Sequence, residues 1–230
     1  MSEKNHGSPE PSFSATREHN RQKTTVSPAV IKRLPRYFRY LRELIRMGKT
    51  RVSSAELSRM MNVTASQIRQ DLNCFGGFGQ QGYGYNVNYL YTKICEILGV
   101  GMGYRAAVIG AGSLGSALVR SPMFEKRGVD VVALFDNSPA VIGKKIANIK
   151  VLSMDDLEAY LEEYCVDIVI LTLPKQWAEE VSQRLSHTGI RGIWNFTGKE
   201  LNVEGTGIVS ENVHIGDSLM TLCYEIAKEE

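Results

Sequence analysis

The sequence predicts an α/β domain built on a doubly wound parallel sheet, preceded by a smaller α+β domain of short helices and a β-hairpin. Three observations carry that prediction. From Arg105 onward, near-continuous Val/Ile/Leu runs alternate with helical stretches, as parallel strands covered on both faces do. Before that, two short helices with capping signals stand about two residues apart, after a longer first helix. Between the two regions, glycines alternate with aromatic and amide residues over positions 76–85, which fits a hairpin.

Taken in order, residues 1–25 are polar, with almost no large apolar side chains, and are expected to form a disordered tail. Ser27-Pro28 supplies an N-cap and a proline at the first helical position. Leu34, Tyr37, Phe38, Leu41, Leu44 and Ile45 then follow helical spacing up to Gly48, and Pro35 inside the pattern predicts a kink or restart. Ser53-x-x-Glu56 opens a second helix through Leu57, Met60 and Met61. Thr64-x-x-Gln67 opens a third through Ile68, Leu72 and Phe75. With only Asn62-Val63 between them, the pair reads as a helix-turn-helix. The hairpin forms a wing, and a helix over 88–98 ends at Gly99. Residues 26–100 thus make a winged-helix domain. Strands are expected at 106–109, 129–135, 167–173 and 192–196, within a Rossmann domain over 101–216. A last helix over 218–228, in a terminal segment 217–230, presents Leu219, Leu222, Cys223 and Ile226 as a stripe.

Composition narrows the function classes. Of 230 residues, 43% are hydrophobic and 23% charged, ordinary for a globular protein with a core. No apolar run reaches the roughly 18 residues of a membrane span, and the polar N-terminus lacks a signal-peptide pattern. Four scattered cysteines, never spaced CxxC, argue against a zinc site or disulfide framework and for a reducing compartment. A cytoplasmic protein without a membrane partner is expected. The net charge of +2 conceals an asymmetry: residues 1–100 carry 15 basic against 7 acidic side chains, and the remainder 12 against 18. A basic half suits a polyanion.

Gly110-Ala111-Gly112-Ser113-Leu114-Gly115 follows the first strand of the second domain and opens a helix. In that context the first glycine permits the tight turn, and the second lets the backbone approach a pyrophosphate. The third lets helix and strand pack, and the helix N-terminus faces the phosphates. Asp136 lies 21 residues past Gly115, beside Asn137, at the end of the second strand. A carboxylate there accepts from ribose hydroxyls and repels a phosphate on the ribose, which favours NAD(H) over NADP(H) and disfavours coenzyme A. Thr172-Leu173-Pro174 and Asn195-Phe196 sit at strand carboxyl ends, where they line the nicotinamide side or form ordinary strand-to-helix turns. His187 and His214 belong to no recognisable acid/base pair. No catalytic or metal site is therefore assigned, and NAD(H) reads as a regulatory ligand. The alternative is an NAD-dependent oxidoreductase with an appended helical domain.

In a helix-turn-helix the second helix shows its polar residues to base edges in the major groove. Ser66, Gln67, Arg69, Gln70 and Asn73 are those residues, Arg suiting guanine and the amides adenine, although Gln67 also has a capping role. Gln80, Gln81 and Tyr83 occupy the wing, and Arg33, Arg36 and Lys49 are candidates for phosphates. Asp71, unsuited to face DNA, is expected to pair with a neighbouring basic side chain, and Cys74 is read as a small packed residue.

Several stretches resemble the Rex family of redox-sensing repressors over about residues 27–226. They are Lys32-Arg33-Leu34-Pro35-Arg36-Tyr37, Arg51-Val52-Ser53-Ser54-Ala55-Glu56-Leu57, Gln67-Ile68-Arg69-Gln70-Asp71-Leu72, Gly82-Tyr83-Gly84-Tyr85-Asn86-Val87, the glycine loop, and Gly189-Ile190-Arg191-Gly192-Ile193-Trp194-Asn195-Phe196. The resemblance implies a homodimer that swaps its C-terminal helix and binds a near-palindromic double-stranded DNA operator when NADH is low, releasing it as NADH rises. Two positions depart from the family pattern. Many relatives carry a Tyr where Ser121 stands and an Asp where His214 stands, a pair implied to couple cofactor to DNA together with an Arg matching Arg39.

Overall fold

The structure, a computed structural model, describes residues 26–76, 79–80 and 83–228, with backbone alone at 79–80. The expected tail at 1–25, Gln81 and the side chain of Gln80 lie outside the described residues. Two compact units divide between Ile94 and Cys95.

In the first unit, α1 (Pro28–Arg46) starts where Ser27 accepts from the Val30 N–H and Pro28 takes the first turn. Its hydrogen-bonded span runs on past Pro35 to Arg46, so the expected restart does not occur. Burial of Leu34, Tyr37, Phe38 and Leu41 around that point outweighs one lost backbone bond. β1 (Arg51–Val52) leads into α2 (Ser54–Met61), whose capping box is complete: Ser53 accepts from Glu56 N, and Glu56 from Ser53 N. Asn62, left-handed at φ 49°, ends α2 and turns the chain into α3 (Ala65–Asn73). Here only half the box forms, because Thr64 accepts from Gln67 N while the Gln67 amide donates to Asp71 instead. β2 (Gly79–Gln80) and β3 (Gly84–Asn86) make the wing, and β1 pairs antiparallel on the other side of β3. Gly84, at φ +69°, has no room for a side chain, since a Cβ there would sit 2.6 Å from the Val52 carbonyl oxygen. α4 (Val87–Leu98) follows directly and ends at left-handed Gly99. Buried Leu57, Met61, Ile68, Leu72, Leu90 and Ile94 complete this core.

The second unit runs β4 (Tyr104–Ile109), α5 (Ser113–Arg120), β5 (Val129–Asp136), β6 (Lys145–Ile146), β7 (Ile149–Ser153), α6 (Leu157–Glu163), β8 (Ile168–Leu171), α7 (Ala178–Leu185), β9 (Gly192–Asn195), β10 (Val209–Asn212) and α8 (Ile215–Ala227). The strand order is β10-β9-β8-β4-β5-β7-β6, parallel except for β6, which pairs antiparallel with β7. The four expected strands are present, while β6, β7 and β10 extend the sheet beyond them. Apolar clusters cover both faces, one around Ile109, Phe135, Leu171 and Leu185, the other around Val108, Leu134, Val151 and Ile170. That double burial explains the unbroken apolar runs. Chain direction across the sheet reverses at β4, with β5 on one side and β8 on the other, so a crevice opens above their carboxyl ends. α8 differs from α5, α6 and α7, since none of its residues is buried.

Candidate cofactor cavity and nucleic-acid interface

A cavity of about 630 Å³ lies at that crevice, within the 300–1,000 Å³ range of small-molecule sites. Strand ends build it: Ile109 ends β4 and Gly110 and Gly112 follow it, Asp136 ends β5 and Asn137 follows it, Met154 follows β7, and Thr172, Leu173 and Pro174 follow β8. One face of α7 closes the wall with Trp177 before it and Glu180, Val181 and Arg184 along it.

The three glycines differ in what surrounds them. Gly110 turns at φ +103°, with the Thr172 carbonyl oxygen 2.8 Å from where a Cβ would stand. A Cβ on Gly115 would meet the Gly110 oxygen at 1.9 Å, so only hydrogen lets α5 pack on the turn. At Gly112 nothing lies within 4 Å, leaving space for a ligand against bare backbone. Gly112 is also the N-cap of α5 and offers no side-chain acceptor, so the N–H groups of the first turn remain available to an anion. Asp136 is fixed from both sides: Ala111 N–H donates to Oδ2 at 2.7 Å and Ser138 N–H to Oδ1 at 2.8 Å. Each carboxylate oxygen keeps a further lone pair for a hydroxyl donor.

Of the expected cofactor residues, Gly110, Gly112, Asp136, Asn137, Thr172, Leu173 and Pro174 line the cavity. Ala111, Ser113, Leu114 and Gly115 form the turn and first helical turn beneath it. Asn195 and Phe196 stand apart from it. Asn195 is buried, donating to the Lys199 carbonyl at 2.7 Å and to Asn212 Oδ1 at 2.8 Å, and it accepts from Thr197. Phe196 packs edge-on against Trp194, with centroids 4.6 Å apart. Both are internal braces of the β9 end rather than cavity lining. Sequence reading missed Met154, Trp177, Glu180, Val181 and Arg184. The spacing 177, 181, 184 on one helical face was the available signal. Arg184 ties the wall together, donating to both Glu158 oxygens at 2.5 and 2.8 Å and to the Met154 carbonyl at 2.6 Å. That pairing holds the Glu158 carboxyl below its ordinary range.

In the first unit, Ser66, Gln67, Arg69, Gln70 and Asn73 all lie on α3, and Ser66, Arg69, Gln70 and Asn73 point away from buried Ile68 and Leu72. Arg69 reaches Ser54 Oγ at 3.2 Å. Tyr83 is exposed at the wing, and Arg51, a neighbour that sequence reading passed over, lies 5.8 Å from its ring and donates to its carbonyl at 3.2 Å. The three phosphate candidates have partners inside the domain. Lys49 pairs with Glu56 at 2.5 Å, Arg36 donates to the Met61 carbonyl, and Arg33 forks onto Asp71. Asp71 is thus the expected partner of a basic side chain, but that partner is one of the supposed phosphate ligands. Cys74 is exposed instead of packed, with its thiol 3.3 Å from the Gln70 carbonyl. Ser121 ends α5 and accepts from Met123 N, His214 stands 3.5 Å from Glu200, and Arg39 lies over Tyr40.

Comparison with known proteins supplies the frame for both sites. Residues 25–73 match a family described as "Putative DNA-binding protein N-terminus", and residues 103–198 match one described as "CoA binding domain". A redox-sensing transcriptional repressor Rex of Clostridium beijerinckii is 48% identical over 89% of this chain and 97% of its own. Another, from Thermoanaerobacter sp., is 48% identical over 91% and 93%. Among solved structures, a Rex-family repressor, RSP, in complex with β-NAD+ and operator DNA superposes with a TM-score of 0.84 at 48% identity, covering 90% of this chain and 95% of that one. RSP in complex with β-NADH gives 0.83 at 45% identity, covering 90% and 97%. No described helix is long and apolar enough to cross a membrane.

Proposed function

The chain belongs to the Rex family of redox-sensing transcriptional repressors, and on that premise we propose that it binds NAD(H) in the strand-end cavity and operator DNA through α3 and the wing, acting as a cytoplasmic homodimer. One observation carries the reading above the others. Asp136, oriented by two backbone N–H groups, stands at the cavity edge beside a glycine turn that leaves open space at Gly112. That is the arrangement a dinucleotide with free ribose hydroxyls requires, and the phosphate on the ribose of coenzyme A or NADP(H) would meet the carboxylate's charge. The pyrophosphate would face the first turn of α5, and the adenine would lie toward Met154, Trp177 and Val181. When bound, the cofactor supplies a ring whose charge changes on reduction, and no residue here is assigned a chemical step.

Base edges would be read by Ser66, Arg69, Gln70 and Asn73, with Tyr83 and Arg51 near the adjoining backbone. The exposed apolar face of α8 supports the dimer, since Ile215, Leu219, Leu222 and Ile226 are each more than half exposed at helical spacing. NADH and NAD+ share every atom the glycine turn and Asp136 can reach, so discrimination falls to the nicotinamide end. Residues of the partner's α8 and Leu173 are the candidates there. The test is to titrate a complex of the chain with duplex DNA, selected by the protein from a random pool, using NADH and then NAD+. NADH should release the duplex at lower concentration, and by linkage its affinity should fall by about 1–3 kcal/mol with saturating DNA. Equal NADH affinity with and without DNA would refute the sensing role.

A further inference from the structure

α3 holds a carboxylate that neither face of the proposed DNA contact uses. Asp71 is fully buried, and four donors converge on it. Arg33 donates Nε to Oδ2 and Nη2 to Oδ1, both at 2.7 Å. Tyr37 Oη donates to Oδ2 at 3.0 Å, and Gln67 Nε2 to Oδ1 at 2.8 Å. Each oxygen therefore accepts two bonds, and no lone pair is left over for another partner. Burial alone pushes this carboxyl's pKa up, yet bonds from Arg33, Gln67 and Tyr37 prevail and hold it below the usual range. Tyr37, beside it, is pushed above its ordinary value chiefly by its own burial and then by the charge of Asp71.

The geometry of the cluster says what it constrains. Arg33 and Tyr37 lie one turn apart on α1, and Gln67 and Asp71 lie one turn apart on α3, so the clamp spans a full turn of each helix. Beyond this clamp, α3 meets its domain through buried Ile68 and Leu72 and through one exposed hydrogen bond, from Arg69 to Ser54 Oγ at 3.2 Å. Apolar packing is nondirectional and tolerates small rotations of a helix about its axis. A guanidinium fork on a carboxylate does not, because two parallel bonds fix both distance and orientation. A rotation of α3 would swing Arg69, Gln70 and Asn73 together relative to the base edges.

We propose that Asp71 is a positioning residue for DNA readout, which with Arg33 and Tyr37 sets the rotation of α3 about its axis and withdraws Gln67 from base contact. The proposal rests on the reading of α3 as the DNA-facing helix. Arg33 is then a ligand of Asp71, not of a phosphate. Sequence discrimination depends on the clamp, and non-specific DNA affinity does not.

The experiment compares two duplexes with the full chain: one selected by wild-type protein from a random pool, and one of the same composition in scrambled order. Three variants are used: Arg33→Lys, which keeps the charge and loses the fork; Asp71→Asn; and Gln67→Met, at a half-buried position in the first turn of α3. Loss of folded protein lowers both affinities in proportion, so their ratio isolates orientation. For Arg33→Lys and Asp71→Asn the ratio should fall on the order of tenfold, the scale of one mismatched base pair, with scrambled-duplex affinity and its salt slope preserved. Gln67→Met should weaken preference evenly across the site. An unchanged ratio in both clamp variants, or an equal fall of both affinities, overturns the proposal. So does a Gln67→Met variant that loses preference at a single base pair, which would make Gln67 a reader. Failure of wild-type protein to select any duplex would be seen before a variant is made, and would remove the DNA-binding reading itself.

Discussion

At the scale of single residues, the two sites differ in how their charges are held. Asp136 is half-buried and meets only backbone donors, so its charge remains free to act on a ligand. Asp71 is sealed, and its charge is neutralised in place by Arg33. The difference predicts opposite phenotypes. Asp136→Ala removes an acceptor for ribose hydroxyls and the charge that repels a ribose phosphate. NADH binding should weaken by about 1.5–3 kcal/mol, the range for a hydrogen bond to a charged group, and the preference over NADPH should shrink. Calorimetric titration with both cofactors reads this directly. Equal binding by variant and wild type would take Asp136 out of the site. The GxGxxG spacing with an acid beyond the second strand was legible because Gly110 and Gly115 meet steric demands, 1.9 Å to the Gly110 oxygen at position 115 leaving no other residue possible, while Gly112 keeps open space. Asn195 stands away from the cavity for a physical reason as well. A polar side chain at a strand's carboxyl end can face the crevice or brace the next loop, and sequence does not separate them. Here it braces the loop through Lys199 and Asn212.

At the scale of elements, capping chemistry was the most legible signal and burial partners the least. Ser53 and Glu56 fixed the start of α2 as the spacing implied, since both partners lie within four residues of one another. Lys49 had to be judged from position alone, and its pairing with Glu56 reaches past β1 onto α2. The same distance problem hid β7 and the α7 wall. Arg184 meets Glu158 only because α6 and α7 pack on one face of the sheet. The α2 cap carries an acid-sensitivity prediction. The hydrogen bond from Lys49, and then that from Ser53 N–H, hold Glu56 at about 2, against a usual 4.5. A depressed carboxyl stabilises the fold fully above its unfolded value and loses that contribution as pH falls toward its folded one. The cap should therefore hold at neutral pH and weaken between roughly pH 4.5 and 2. Thermal melts followed by circular dichroism should show a smaller decline over this window in Glu56→Gln than in wild type. Identical slopes would mean the cap contributes nothing to acid stability.

At the scale of the whole molecule, α8 is the element whose stability cannot be explained within one chain. Its 13 residues include Ile215, Leu219, Met220, Leu222, Tyr224 and Ile226, all exposed by more than half, and no buried residue. An isolated helix of this length is marginal in water and gains its stability from packing its apolar face. Its stripe was visible in the sequence as Leu219, Leu222, Cys223 and Ile226, yet sequence periodicity only says that a face is apolar, not what covers it. A second copy is the occupant that also explains why a DNA reader would want two recognition helices, spaced to meet successive major grooves about 34 Å apart. The paired variant Leu219→Asp with Leu222→Asp places charge in the middle of that face and lies outside α3, and it is tested without cofactor. It should sediment as a monomer where the unaltered chain sediments as a dimer. Its affinity for a palindromic duplex should fall by about 100-fold or more, because two tethered contacts become two independent ones. Binding to a single half-site should change little. A variant that remains dimeric would show that α8 packs against its own chain or serves another partner, and the two-fold model of operator recognition would have to be built on a different surface.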